Sequence, residues 1–98
     1  MTISSQQKGS TATIYIDGRL DTVTAPEFEK AISALSPEVT ALTIDMTELS
    51  YISSAGLRVL LGAQKKMNKI GSMKLCGVCE AVLGVLEMTG FADFMVIE

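Results

Sequence analysis

The 98 residues, 48% apolar and 19% charged, suffice for one small folded domain with a single modest core and exclude a disordered chain. A net charge of -3 argues against nucleic acid as a direct partner, because binding a phosphate backbone needs clustered Lys and Arg. Histidine is absent, which removes the commonest general base and the commonest metal ligand.

Thr2 to Gln7 and Thr11 to Asp17 read as two strands joined by a turn at Lys8-Gly9-Ser10. The second is rich in β-branched residues and stops at Gly18. Thr24 followed by Glu27 makes the capping-box pattern of a helix start, with Pro26 in the first turn. Ala25, Phe28, Ile32 and Leu35 then share one helical face, and Ser36-Pro37-Glu38 ends it. Ala41 to Met46 is a short apolar strand. A second helix runs from about Ser54 to Ile70, with Leu57, Leu60, Leu61, Gln64, Met67 and Ile70 inward and Gly71 as its C-terminal cap. Lys65, Lys66 and Lys69 complement the dipole of that helix and solvate one face. Ser72 to Gly77 is a strand, and Glu80 to Thr89 a helix with Val82, Val85 and Leu86 inward. Met95 to Ile97 is a last strand. Met67, Met73, Met88 and Met95 fall on core positions as gap fillers.

This order, β-β-α-β-α-β-α-β, predicts a single α/β domain over 1–98 with a mostly parallel central sheet, right-handed crossovers and flanking helices. The apolar 41–46 and 73–78 segments suit strands buried inside such a sheet. No apolar run approaches the ~20 residues of a membrane span, and Met1 to Lys8 lacks a signal peptide's apolar region. A cytoplasmic location without membrane insertion is therefore expected, with Cys76 and Cys79 as thiols.

Ser53 and Ser54 stand where an extended segment meets an apolar helix. Unpaired amides and a partial positive charge at a helix start accept either a capping hydroxyl or a phosphate. On pattern alone the capping hydroxyl is the favoured reading, with Ala55 and Gly56 permitting close packing. The loops after Asp17 and Asp45 lie at strand carboxyl ends, so Asp21 and the serines share a surface if the two strands are neighbours. Asp21 is also a natural turn residue leading into Thr24, and Asp45 is suited to bonding loop amides.

The stretch Asp45-Met46-Thr47-Glu48-Leu49-Ser50-Tyr51-Ile52-Ser53-Ser54-Ala55-Gly56-Leu57-Arg58-Val59-Leu60-Leu61 resembles the signature of STAS domains of the anti-sigma factor antagonist type. Gly18-Arg19-Leu20-Asp21 and the order of elements resemble that family as well, across nearly the whole chain. The resemblance implies a phosphorylation-controlled binding protein rather than an enzyme. An anti-sigma factor serine kinase, supplying ATP and magnesium itself, modifies a serine at this helix start. The unmodified antagonist sequesters that kinase and releases a sigma factor, and a PP2C-type phosphatase resets the switch. The family's Asp-Ser-Ser-Gly-Leu aligns with Ser53-Ser54-Ala55-Gly56-Leu57, so Ser54 falls on the phosphorylated position, with Ser53 the second choice. Ser53 stands where the family has aspartate, and Ala55 where it has a hydroxyl. Partner contacts are implied at Asp21, Ser53, Ser54, Ala55, Gly56 and Arg58, with no cofactor and no metal.

Two alternatives accompany this reading. STAS domains also serve as subunits of transporter ATPase complexes. Cys76-Gly77-Val78-Cys79, between a strand and a helix, has the C-x-x-C spacing of a thiol oxidoreductase, although no proline follows it. Two cysteines without histidine cannot complete a four-ligand zinc site within one chain, so buried structural thiols are expected.

Overall fold

The structure is a computed structural model describing residues 1–98. Strands β1 (Thr2–Lys8) and β2 (Thr11–Leu20) form an antiparallel hairpin across Gly9 and Ser10. Helix α1 (Ala25–Ser33) crosses to β3 (Ala41–Ile52), α2 (Ser54–Ile70) to β4 (Ser72–Cys76), and α3 (Glu80–Met88) to β5 (Val96–Ile97). A single 3-10 turn at Phe91–Asp93, which the sequence pattern does not announce, precedes β5. The sheet order is β1-β2-β3-β4-β5, parallel from β2 onward. Because each crossover moves one strand in the same direction, right-handed connections place all three helices on one face.

The strand burial follows that arrangement. Ala12, Ile14 and Ile16 of β2, Leu42, Ile44 and Met46 of β3, and Met73 and Leu75 of β4 are buried in one core with Phe28, Leu60, Val82 and Leu86 from the helices. The intervening residues Thr11, Thr13, Tyr15, Thr43, Asp45, Lys74 and Cys76 are exposed or half-buried on the other face. The expectation that the 41–46 and 73–78 strands are buried inside the sheet thus holds for one face only. Their outward positions carry Thr, Asp, Lys and Cys, which tolerate solvent, and this two-layer arrangement needs no second helical layer.

The strands also run further than their apolar patterns suggest. In β3 the buried positions change from every second residue, Leu42, Ile44 and Met46, to every third, Leu49 and Ile52. The ladder with β2 explains this: the register shifts between Tyr15 and Asp17 and again between Gly18 and Arg19. Each shift places one additional residue in β3, so the inward face is regained after three positions. The expected loops after Asp17 and Asp45 are therefore bulged strand, and both strands end together at Leu20 and Ile52.

The Thr24–Glu27 capping box does not form. Thr24 makes no side-chain cap bond because its hydroxyl is engaged behind the helix, at Arg19 and Asp21. Ala25, Phe28 and Ile32 are buried as expected, while Leu35 lies beyond the helix end and is half-buried. On α2, Leu57, Leu60, Gln64 and Met67 are buried together with Gly56 and Ala63, whereas Ile70 is 45% exposed in the last turn. Met88 is 88% exposed at the end of α3, so it fills no gap, unlike the fully buried Met46.

Candidate functional site

Parallel pairing of Leu20 with Ile52 brings the ends of β2 and β3 side by side, and the Ser53 N–H donates to the Leu20 carbonyl at 2.9 Å. Asp21 and the serine pair thereby occupy the same carboxyl edge of the sheet, as their positions in the sequence suggest. Ser53 is the N-cap residue of α2, with extended backbone (φ -103°, ψ 177°), and its carbonyl accepts the Leu57 N–H at 3.0 Å. Its hydroxyl makes no cap bond; the Oγ is buried without a partner. Ser54, the first helical residue, is exposed. The two adjacent hydroxyls thus have opposite environments, one enclosed and one open to solvent. The first turn of α2 also contains no acidic residue.

Close packing beneath Ser54 sets its height above the sheet. Gly56 is buried, and a β-carbon on it would lie 2.7 Å from Leu20 Cγ and 2.9 Å from Ile52 Cγ1. Ala55 is half-buried against the core, and Arg58 is exposed. Among the candidate contact residues, then, Ser54 and Arg58 are exposed and Asp21 is half-buried, while Ala55 and Gly56 serve the packing.

Asp21 is part of a hydrogen-bonded turn that begins at Arg19. Its Oδ1 accepts the N–H groups of Val23 at 3.0 Å and Thr24 at 3.1 Å. The Thr24 hydroxyl accepts the Asp21 N–H at 2.9 Å, donates to the Arg19 carbonyl at 2.7 Å and lies 3.2 Å from Asp21 Oδ1. The Thr24 N–H is the main cause holding the Asp21 carboxyl below its usual range. The Thr24 hydroxyl, the Val23 N–H and the Arg19 charge add to it against partial desolvation. A lowered folded pKa stabilises the fold above about pH 4, and the contribution is lost as the pH falls through the folded value. Asp21→Asn is accordingly expected to melt below the unsubstituted protein at neutral pH, the gap closing in acid. Thermal unfolding measured against pH checks this; a gap independent of pH contradicts it.

The turn displays one side chain that the sequence pattern does not single out: Val23 is 82% exposed. Beside it, Arg19 stacks over the Tyr51 ring, 4.1 Å from its centroid, and the two are cross-strand partners. Both residues lie within the quoted motifs, but their juxtaposition depends on the second bulge, which no periodicity in the sequence reveals. Such stacking holds a guanidinium in place and is worth about 0.5–1 kcal/mol at an exposed position.

The C-x-x-C pair lacks the setting that activates a redox dithiol. Cys76 lies on the open face of the sheet, where burial, with Asp45 beside it, pushes its thiol up. Cys79 is the N-cap residue of α3 and donates to the Leu49 carbonyl at 3.5 Å. Both are free, and each is half-buried rather than enclosed. Dithiol exchange uses a thiolate of depressed pKa, the opposite of what surrounds Cys76. Asp45 bonds the Thr47 hydroxyl at 2.7 Å and the Thr47 N–H at 3.0 Å, the structural role expected of it. No helix is long and apolar enough to cross a membrane.

Comparison with known proteins bears on the family and the fold. An anti-sigma-B factor antagonist of Listeria monocytogenes is 34% identical over 87 residues, covering 87% of this chain and 76% of that protein. A crystal structure of an anti-sigma factor antagonist from Mycobacterium paratuberculosis superposes with a TM-score of 0.88 at 25% identity, covering 98% of this chain and 83% of that one. The unphosphorylated form of the anti-sigma factor antagonist SpoIIAA shares the fold at a TM-score of 0.84 and 21% identity, with 99% and 88% covered. The family model for the STAS domain matches residues 2–98, the full extent of the sheet and helices described above, and this chain belongs to the STAS domain family.

Proposed function

We propose that this chain is a cytoplasmic anti-sigma factor antagonist, not an enzyme, that sequesters an anti-sigma factor serine kinase and is switched off by phosphorylation of Ser54. The observation that carries the reading is the contrast between the two serines: Ser54 is exposed at the first position of α2, whereas the Ser53 Oγ is enclosed. The relatives named anti-sigma-B factor antagonist support it, as does the existence of SpoIIAA structures in both unphosphorylated and phosphorylated forms.

In the proposed step the Ser54 Oγ attacks the γ-phosphorus of ATP held by the kinase. The new O–P bond forms as the bond to ADP breaks, and the hydroxyl proton passes to a base of the kinase. The product carries about two negative charges beside the amides of a helix start, where they are tolerated within the chain. On a docking surface the same charges repel and must be desolvated, so the partner is released. Hydrolysis by a PP2C-type phosphatase returns the hydroxyl and inorganic phosphate.

The exposed Val23, the Asp21 turn and the Arg19–Tyr51 stack would border the docking surface. Ser54→Asp is expected to weaken binding of the cell's own anti-sigma factor kinase at least tenfold, while Ser53→Ala leaves it within about threefold. Titration calorimetry with the purified kinase measures both, and mass spectrometry after incubation with ATP locates the phosphate. Undiminished binding by Ser54→Asp, with no phosphate found on Ser54, would overturn the proposal.

A further inference from the structure

Arg58 stands four residues after Ser54 on α2, one turn further along and on the same face. In the unmodified chain Arg58 borders a groove with Glu29 of α1 and Gly62 and Lys66 further along α2; the backward lean of helical side chains leaves the turn that Ser54 opens within reach of another rotamer of Arg58. Arg58 is exposed and has no ionic partner: the single ion pair of the molecule joins Lys74 to Glu98. Glu29 of α1 and Lys66 of α2 line the same shallow groove as Arg58, and neither pairs with it. On the opposite side of Ser54, the Asp21 carboxylate is already occupied by the amides of its own turn, and Arg19 lies against Tyr51. The first turn of α2 thus holds no native anion, and the residue that begins its second turn is a cation without an ionic partner.

Resting on the reading that Ser54 is the phosphoacceptor, we propose that Arg58 is a built-in clamp for the Ser54 phosphate. An acidic group followed four residues later by a basic one is the favoured sense for an intrahelical ion pair. A guanidinium can donate two parallel N–H bonds to phosphate oxygens, the strongest form of such a contact. Phosphorylation then does two things together. It adds charge at the docking surface, and it converts Arg58 from a cation available to a partner's carboxylates into one neutralised within its own helix. The modified state is stabilised internally, without a contribution from any other chain.

The test uses the full chain with phosphoserine installed at position 54 during synthesis, so that its outcome does not depend on whether a kinase uses the site. Phosphorus NMR gives the second pKa of the phosphate, ordinarily near 6. Arg58→Gln is expected to raise that pKa by at least about half a unit relative to the chain retaining Arg58, with Arg58→Lys between them. Arg58→Gln is also expected to lower the melting temperature of the phosphorylated chain by several degrees while leaving the unphosphorylated chain unchanged. That asymmetry is one a merely structural arginine would not produce. Identical phosphate titration in all three chains would overturn the clamp. A kinase that ignores Ser54 in the ordinary chain would instead count against the phosphoacceptor reading, with the clamp measured separately.

Discussion

Gly77→Ala is expected to lower the unfolding free energy by about 3 kcal/mol, a large part of the ~5–15 kcal/mol available to a small domain. Gly77 follows β4 with φ at 66°, a left-handed conformation that costs an L-residue about 1–2 kcal/mol. A β-carbon there would also fall on the Thr47 Oγ1, and it would lie 2.9 Å from the Thr47 Cα and N. Thr47 cannot yield cheaply, because its hydroxyl and N–H both bond Asp45, at 2.7 and 3.0 Å. Those same two bonds hold the Asp45 carboxyl below its usual range, so pushing Thr47 aside also loosens Asp45. Overpacking of this kind costs about 1–3 kcal/mol in addition to the backbone strain. Gly84→Ala is the matched control: it lies inside α3 with nothing within 4 Å of an added carbon, and it is expected to stabilise by about 0.5–1 kcal/mol. Urea unfolding of both variants decides the matter; a loss below about 1 kcal/mol for Gly77→Ala would contradict the account.

Gly56→Ala is expected to cost about 2 kcal/mol and to weaken partner binding among molecules that remain folded. The added carbon meets Leu20 at its branching carbon, not at a flexible tip, and Leu20 is fully enclosed. Ile52 is buried as well, so neither side chain can swing outward and α2 must lift from the sheet. That displacement moves Ser54 relative to the Asp21 turn, which is anchored to β2 rather than to the helix. The diagnostic is a double-mutant cycle with Leu20→Ala, in which removing the obstructing branch makes the two losses sum to more than the double variant suffers. Strictly additive losses would show that the helix accommodates the methyl group elsewhere.

What was legible in the sequence followed from repetition. The limits of α2, Ser54 to Ile70, were readable because its apolar positions recur at helical spacing up to a glycine. The order of strands and helices was readable for the same reason, and it carried the parallel sheet with it. The ends of β2 and β3 were not. Met46, Leu49 and Ile52 fall three apart, which has no strand period until two bulges are supplied, and those exist only in the pairing with β2. The capping box failed on competition: the Thr24 hydroxyl had nearer partners at Arg19 and Asp21 than its own helix amides. At the site, the motif placed Ser53 and Ser54 at the helix start and its alignment favoured Ser54, but nothing in the local pattern told the surroundings of the two hydroxyls apart. Only the fold encloses one hydroxyl and leaves the other open.

The two bulges act as a vernier between β2 and β3. The numerical offset of paired residues grows from 30, where Thr11 meets Ala41, to 32, where Leu20 meets Ile52. An offset of 31 would invert the pleat for everything that follows, turning Ile52 outward and bringing its polar neighbours into the core. The orientation of the serine pair is therefore set upstream of it, in the register of the β2–β3 ladder. Spacer residues between Tyr15 and Arg19 on one strand, and between Asp45 and Tyr51 on the other, fix the phase in which α2 begins.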